Sequence, residues 1–119
     1  MYGILIDYQY CSGCYSCEIA CQTEHDLDLE QWGIKVQQLG PFPIHNSDGK
    51  YVYSFVPTPT QLCDLCQERL DRGKDPSCVH HCQADVMTFG PVEELAKKME
   101  EKPFQVLFVP PKANEAVVK

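Results

Sequence analysis

Apolar and polar residues alternate where the chain begins. Tyr2, Ile4, Ile6 and Tyr8 fall on one face and Leu5 and Asp7 on the other, the period-2 pattern of a short strand. Glu18 to Glu24 then reads as a short helix, and Asp26 to Trp32 is polar and irregular. Ile34 and Val36 mark a strand over Gly33 to Leu39, broken by Gly40, Pro41 and Pro43. Asn46-Ser47-Asp48-Gly49 predicts a turn. Tyr51 to Val56, rich in aromatic and β-branched residues, predicts a strand that Pro57 and Pro59 end. Residues 34–57 thus read as a β-hairpin. A helical turn is expected within Gln61 to Arg72, closed at Gly73, and another within Ser77 to Gln83. Val86 to Phe89 is a short strand. Pro91 suits the first position of a helix, whose Val92, Leu95, Ala96 and Met99 recur at core-facing spacing. The helix stops before Pro103. Phe104 to Val109 is a last strand, and residues 110–119 read as an extended tail.

This order of elements is α+β. A chain of 119 residues makes one domain and buries a modest fraction of its surface, so it is marginal without a staple. The staple is written in its cysteines. All eight fall into two quartets: Cys11, Cys14, Cys17 and Cys21, spaced C-x2-C-x2-C-x3-C, and Cys63, Cys66, Cys78 and Cys82, spaced C-x2-C-x11-C-x3-C. In each C-x3-C ending the two thiols lie one helical turn apart. The matching endings form a weak internal repeat.

Three closely spaced cysteines on one loop can wrap an iron–sulfur cubane, because the residues between them turn backbone N–H groups inward. In two-cluster ferredoxins the fourth cysteine ligates the other cluster. By that rule Cys11, Cys14, Cys17 and Cys82 hold one [4Fe-4S] cluster, and Cys63, Cys66, Cys78 and Cys21 hold a second. The crossing makes the clusters neighbours, ties both halves of the chain together and couples folding to the metal. Two tetrahedral zinc sites are the alternative, although four cysteines within eleven residues are unusual for zinc. Disulfides fit less well, since the spacing is tight and nothing at the N-terminus resembles a secretory segment.

The formal net charge is −7, and ligated thiolates would make it more negative. That argues against nucleic acid and anionic membranes as partners. No apolar run approaches the roughly 18 residues of a membrane span. The expected location is cytoplasmic, with co-export beside a signal-bearing partner left open.

The segments GILIDYQYCSGCYSCEIACQTEH at 3 to 25 and CDLCQERLDRGKDPSCVHHCQADVMTFG at 63 to 90, with the hairpin between them, resemble the iron–sulfur subunits of the dimethyl sulfoxide reductase superfamily. The resemblance implies a ferredoxin-like dicluster domain over 1–90, with 34–57 as an inserted hairpin and 91–119 as a C-terminal helix, strand and tail. It implies a non-catalytic subunit that relays electrons to or from a large catalytic subunit with a molybdenum or tungsten bis-pterin cofactor, and to a further redox protein. Many members have Pro after the last cysteine of each motif, whereas Gln22 and Gln83 stand here. Many carry sixteen cysteines, against eight in this short form. A free diffusible ferredoxin is the competing function, but a minimal carrier needs neither hairpin nor tail.

His80 and His81 read as solvent-facing residues of a short helix more than as tuners of a cluster. His25 and His45 carry no spacing signal. Tyr8, Tyr10 and Tyr15 flank the first motif and are expected to shield it from water. Tyr51, Tyr53, Phe55 and Trp32 suit a partner-facing patch or the packing of the hairpin. Val92, Leu95 and Met99 are expected in the core. No phosphate loop, Ser/His/Asp grouping or paired-acid motif is present, so electron transfer rather than substrate chemistry is the expected role.

Overall fold

Burial begins at the first strand. Ile4, Leu5 and Ile6 are 1%, 4% and 0% exposed, so β1 (Tyr2–Asp7) is covered on both faces. The structure, a computed structural model, describes residues 1–45 and 49–114. β1 is the middle strand of an antiparallel sheet of order β4-β1-β5, flanked by β4 (Met87–Pro91) and β5 (Gln105–Phe108). Ile4 lies opposite Phe89 on one side and Phe108 on the other. On one face Ile4 and Ile6 join the core with Cys17, Cys21, Ile34, Val36 and Cys78. Across the pleat lies Leu5. Over that side packs α4 (Val92–Met99), whose Leu95 is 1% exposed.

The second sheet is the expected hairpin, β2 (Ile34–Pro43) paired with β3 (Tyr51–Pro59). Both strands outrun their proline stops. Gly40 and Pro41 are absorbed in an irregularity of register between Leu39 and Phe42 rather than ending β2. Pro57 and Pro59 sit in the ladder opposite Val36 and Ile34. A two-stranded ribbon has an edge on every strand, where the missing N–H costs nothing. The turn expected at Asn46-Ser47-Asp48-Gly49 lies largely outside the described residues.

A lone hairpin is marginal in water, and buried polar contacts fasten this one. Glu18 is 4% exposed; its Oε1 accepts the Val36 N–H at 3.0 Å and pairs with Lys35 Nζ at 3.2 Å. Thr60 N–H donates to the Gly33 carbonyl at 2.9 Å, and the Thr60 hydroxyl donates to the Trp32 carbonyl. Three short helices accompany the sheets: α1 (Ser16–Glu24), α2 (Gln67–Asp71) and α3 (Ser77–His81). Helices of five to nine residues do not hold by themselves. α1 and α3 pack on each other, with the Ser77 hydroxyl donating to the Ala20 carbonyl at 3.3 Å. Glu24 of α1 meets Arg69 and Arg72 at 3.7 Å each.

Two C-terminal details differ from expectation. Pro91 caps α4 rather than opening it: its ψ of 139° is extended, and it is still paired with Tyr2 in the sheet. Residues 110–114 do not extend away. They turn through a 3-10 segment, Lys112–Asn114, onto the start of β1. Asn114 is 2% exposed; its Oδ1 accepts the Tyr2 N–H at 3.0 Å, and its Nδ2 donates to the carbonyls of Tyr2 at 3.0 Å and Pro110 at 2.8 Å. Residues 115–119 lie outside the described residues.

Asn114→Ala removes all three bonds and leaves the Tyr2 N–H and carbonyl at the start of β1 without these partners. The expected result is a loss of about 2 kcal/mol in urea unfolding with unchanged iron content.

Candidate metal centre

The first cysteine loop runs from Cys11 into α1, and left-handed residues shape it. Gly13 has φ 71° and Tyr15 φ 63°. The loop lies close under the hairpin: a Cβ on Gly13 would come within 2.9 Å of the Phe55 ring. The second loop repeats the device, with Leu65 and Cys66 both left-handed at φ 59° and 53°. Successive backbone turns of this kind gather N–H groups into an anion-binding concavity. Gly13 N–H points at the Cys11 sulfur, Ser16 N–H at Cys14, Glu18 N–H at Cys17 and Leu65 N–H at Cys63. Ser77 N–H lies 3.5 Å from the Cys66 sulfur.

The eight thiols are free. Cys21 of the first motif lines a narrow recess with Cys63, Cys66 and Cys78 of the second, walled by Ile4 and Ile34, with a cavity volume of only about 10 Å³. Gly33 closes one side, where a Cβ would collide with the Cys21 sulfur. Cys82 of the second motif acts electrostatically on Cys11 and Cys17 of the first. Cys14 is exposed and touched by the Gln83 N–H. Cys78 is close enough to feel Cys17 as well as Cys21, Cys63 and Cys66.

Burial dominates the acidity of these thiols. It pushes Cys17 and Cys21 up to about 12 and Cys63 up to about 11, and neighbouring thiols add to the rise at Cys17 and Cys21. Burial also raises Cys78 well above the ordinary thiol value, and it raises Cys11 and Cys66. Cys14 goes the other way. The Ser16 hydroxyl and N–H, helped by the Gln83 N–H and the Ser12 hydroxyl, hold it below the ordinary thiol value. Buried sulfurs are therefore uncharged until a cation joins them. A donor set of thiols alone, apolar walls and inward N–H groups suits iron–sulfur ligation, where metal charge compensates thiolate. Cys11, Cys14, Cys17 and Cys82 would hold one such group, and Cys21, Cys63, Cys66 and Cys78 the other.

The remaining candidates fall as follows. His80 and His81 are exposed, with His81 Nδ1 2.9 Å from the Ser77 carbonyl. Tyr51 and Tyr53 are 62% and 54% exposed, while Phe55 packs edge-on between Tyr53 and Tyr15. Trp32 lies under the Lys35 ammonium at 3.9 Å. Tyr10 and Tyr15 are exposed, and Tyr8 packs on the core. One residue was not legible as part of the site: His25, whose Nε2 lies 3.1 Å from the Cys66 sulfur and 3.7 Å from Asp64 Oδ1. Nothing in its spacing announces this, because the contact spans 41 residues. The one available sign was its place one turn beyond Cys21.

A small α+β domain with antiparallel sheets and eight free cysteines is compatible with the ferredoxin-like class of metal-binding folds. Sequence comparison narrows it. No family model matches the chain. The chain is similar to the B subunit of polysulfide reductase from Wolinella succinogenes, 25% identical over 162 aligned positions that cover 86% of this chain and 84% of that protein. It is 28% identical to the B subunit of anaerobic dimethyl sulfoxide reductase from Escherichia coli over 80% of this chain, and 36% identical to the arsenate respiratory reductase iron–sulfur subunit of a Shewanella species over 71%. It spans only 34% and 30% of those two proteins. The chain is thus a distant relative of subunits of polysulfide, dimethyl sulfoxide and arsenate reductases, among them an iron–sulfur subunit. Among the described residues no helix is long and apolar enough to cross a membrane.

The iron-free chain tests this geometry. At pH 8 iodoacetamide should modify Cys14 first and Cys78 last, read by peptide mass mapping. Between pH 7 and 8.5 Cys14, whose thiolate is favoured by its hydrogen-bond donors, should stay the fastest to react. Cys17 and Cys21, at about 12, should stay protonated and slow throughout.

Proposed function

We propose that the chain is the electron-transfer subunit of an anaerobic oxidoreductase, carrying two [4Fe-4S] clusters and relaying electrons to or from a large catalytic subunit with a molybdenum or tungsten bis-pterin cofactor. The carrying observation is the recess in which Cys21 meets Cys63, Cys66 and Cys78, thiols from motifs more than forty residues apart. The interaction of Cys82 with Cys11 and Cys17 supports the complementary set. The cluster-binding unit is residues 1–90, with the hairpin 34–57 inserted and 91–119 completing the domain.

When bound, each cluster supplies one-electron storage. The chain's own residues position and insulate it. Ile4 and Ile34 exclude water from the inner set, and the loop N–H groups stabilise its sulfurs. Cys14, exposed and rich in hydrogen-bond donors, makes the first set the outward-facing end of the relay. Each C-x3-C ending, Cys17 to Cys21 and Cys78 to Cys82, runs from one proposed set to the other and gives two equally short backbone routes between them. The similarity to subunits of polysulfide, dimethyl sulfoxide and arsenate reductases supports a catalytic partner.

Anaerobic purification from the native source, with mass and metal analysis, tests the assignment. A larger chain containing molybdenum or tungsten should co-elute, with iron above the roughly eight atoms that two cubanes hold. Elution alone with about eight irons would replace the partner-bound reading with a diffusible carrier. The crossed ligand sets have a separate test. Cys82→Ser should perturb the same EPR signal as Cys11→Ser, and Cys21→Ser the same signal as Cys66→Ser. Cys82 grouping with Cys66 would overturn the crossing.

A further inference from the structure

The Cys66 sulfur has a side-chain donor beside its backbone one. Ser77 N–H approaches it at 3.5 Å and His25 Nε2 at 3.1 Å. Both residues are held in place. The His25 N–H donates to the Cys21 carbonyl at 3.1 Å, fixing the residue one turn past a proposed ligand. Its ring is 29% exposed and lines the same recess as the four thiols. On the other side Asp64 Oδ1 accepts the Cys66 N–H at 2.9 Å and faces His25 Nε2 at 3.7 Å. The imidazole therefore joins the end of α1 to the second cysteine loop.

His25, Asp64 and Cys66 place three donor atoms within 4.8 Å of one another, enough to suggest a small cation site. Cys66 is already required by the inner thiol set, which leaves the other two without their sulfur. The contact makes better sense as a hydrogen bond. A metal-bound thiolate offers only lone pairs, so Nε2 must carry the hydrogen and donate it. Hydrogen bonds to charged acceptors are the strong ones, and donors to cluster sulfurs are among the levers that set a cluster's potential.

We propose that His25, by donating its Nε2–H to the Cys66 sulfur, raises the reduction potential of the cluster held by Cys21, Cys63, Cys66 and Cys78. The inference rests on the ligand set proposed above. Reduction adds one electron to that cluster; no bond is made or broken and no proton is transferred. The electron comes from the redox partner in the complex, or from dithionite in the test. The added negative charge strengthens the N–H···S bond, so the reduced form gains more from His25 than the oxidised form does.

The test is an EPR-monitored redox titration at one fixed pH. It uses the anaerobically purified full chain, with whatever subunit accompanies it, as wild type, His25→Leu, His25→Met and His25→Gln. Two one-electron midpoints are expected in the wild type. Each apolar variant should keep its iron and lower one midpoint by about tenfold in equilibrium constant, about 59 mV for a one-electron couple, while the other midpoint moves far less. His25→Gln, whose amide N–H reaches about as far as Nε2, should restore most of the loss. The inference is overturned if neither apolar variant shifts a midpoint, or if Gln shifts it as much as Leu. Loss of iron from both apolar variants also overturns it, by making His25 a structural residue. If one variant loses iron, the other decides. A wild type without iron–sulfur EPR signals would instead remove the ligand set itself, and this inference with it.

Discussion

The fold depends on keeping sulfur dry. A thiolate out of water is costly unless a cation sits beside it. Cys17, Cys21, Cys66 and Cys78 are each 6–7% exposed and come from three different elements. In their uncharged form Cys17, Cys21 and Cys78 pack as small apolar residues with Ile4, Ile6, Ile34 and Val36. Metal-bound, they would be the charged centre of the molecule. The same space is hydrophobic core and, with the proposed clusters bound, would be the cofactor cradle.

That double use explains the irregular parts. Neither cysteine loop is regular, because its N–H groups are turned toward sulfur rather than into a ladder. α1 and α3 are too short to stand alone and are held by each other. The hairpin covers the first loop through Phe55 and is fastened to α1 by buried Glu18. Glu18 also raises the pKa of Cys17 beside it, so the anchor of the hairpin and the electrostatics of the outer thiol set share one carboxylate.

Much of this was legible in the sequence because it is carried by strong local signals. The alternation of Tyr2 to Asp7, the spacing of Val92, Leu95 and Met99, and the cysteine motifs each have one dominant reading. The failures are places where tertiary context overrides a local rule. Pro57 and Pro59 look like stops, yet a ribbon with free edges accepts them. Leu65 and Cys66 give no hint of left-handed backbone, since neither is Gly or Asn; the thiols they must orient impose it. Asn114 looks like part of a polar tail, and its burial follows only from the position of the β1 start. His25 was invisible because its partner lies across the fold.

The recess has a consequence for synthesis. Its four sulfurs are contributed one from the first motif and three from the second, and Cys78 comes last. A nascent chain halted anywhere between residues 22 and 62 has made only one of them. Cys21 must therefore travel through the ribosomal tunnel and wait for the whole hairpin to be translated before the cavity it belongs to exists. Any machinery that delivers iron to that cavity meets a polypeptide whose second motif has already been made.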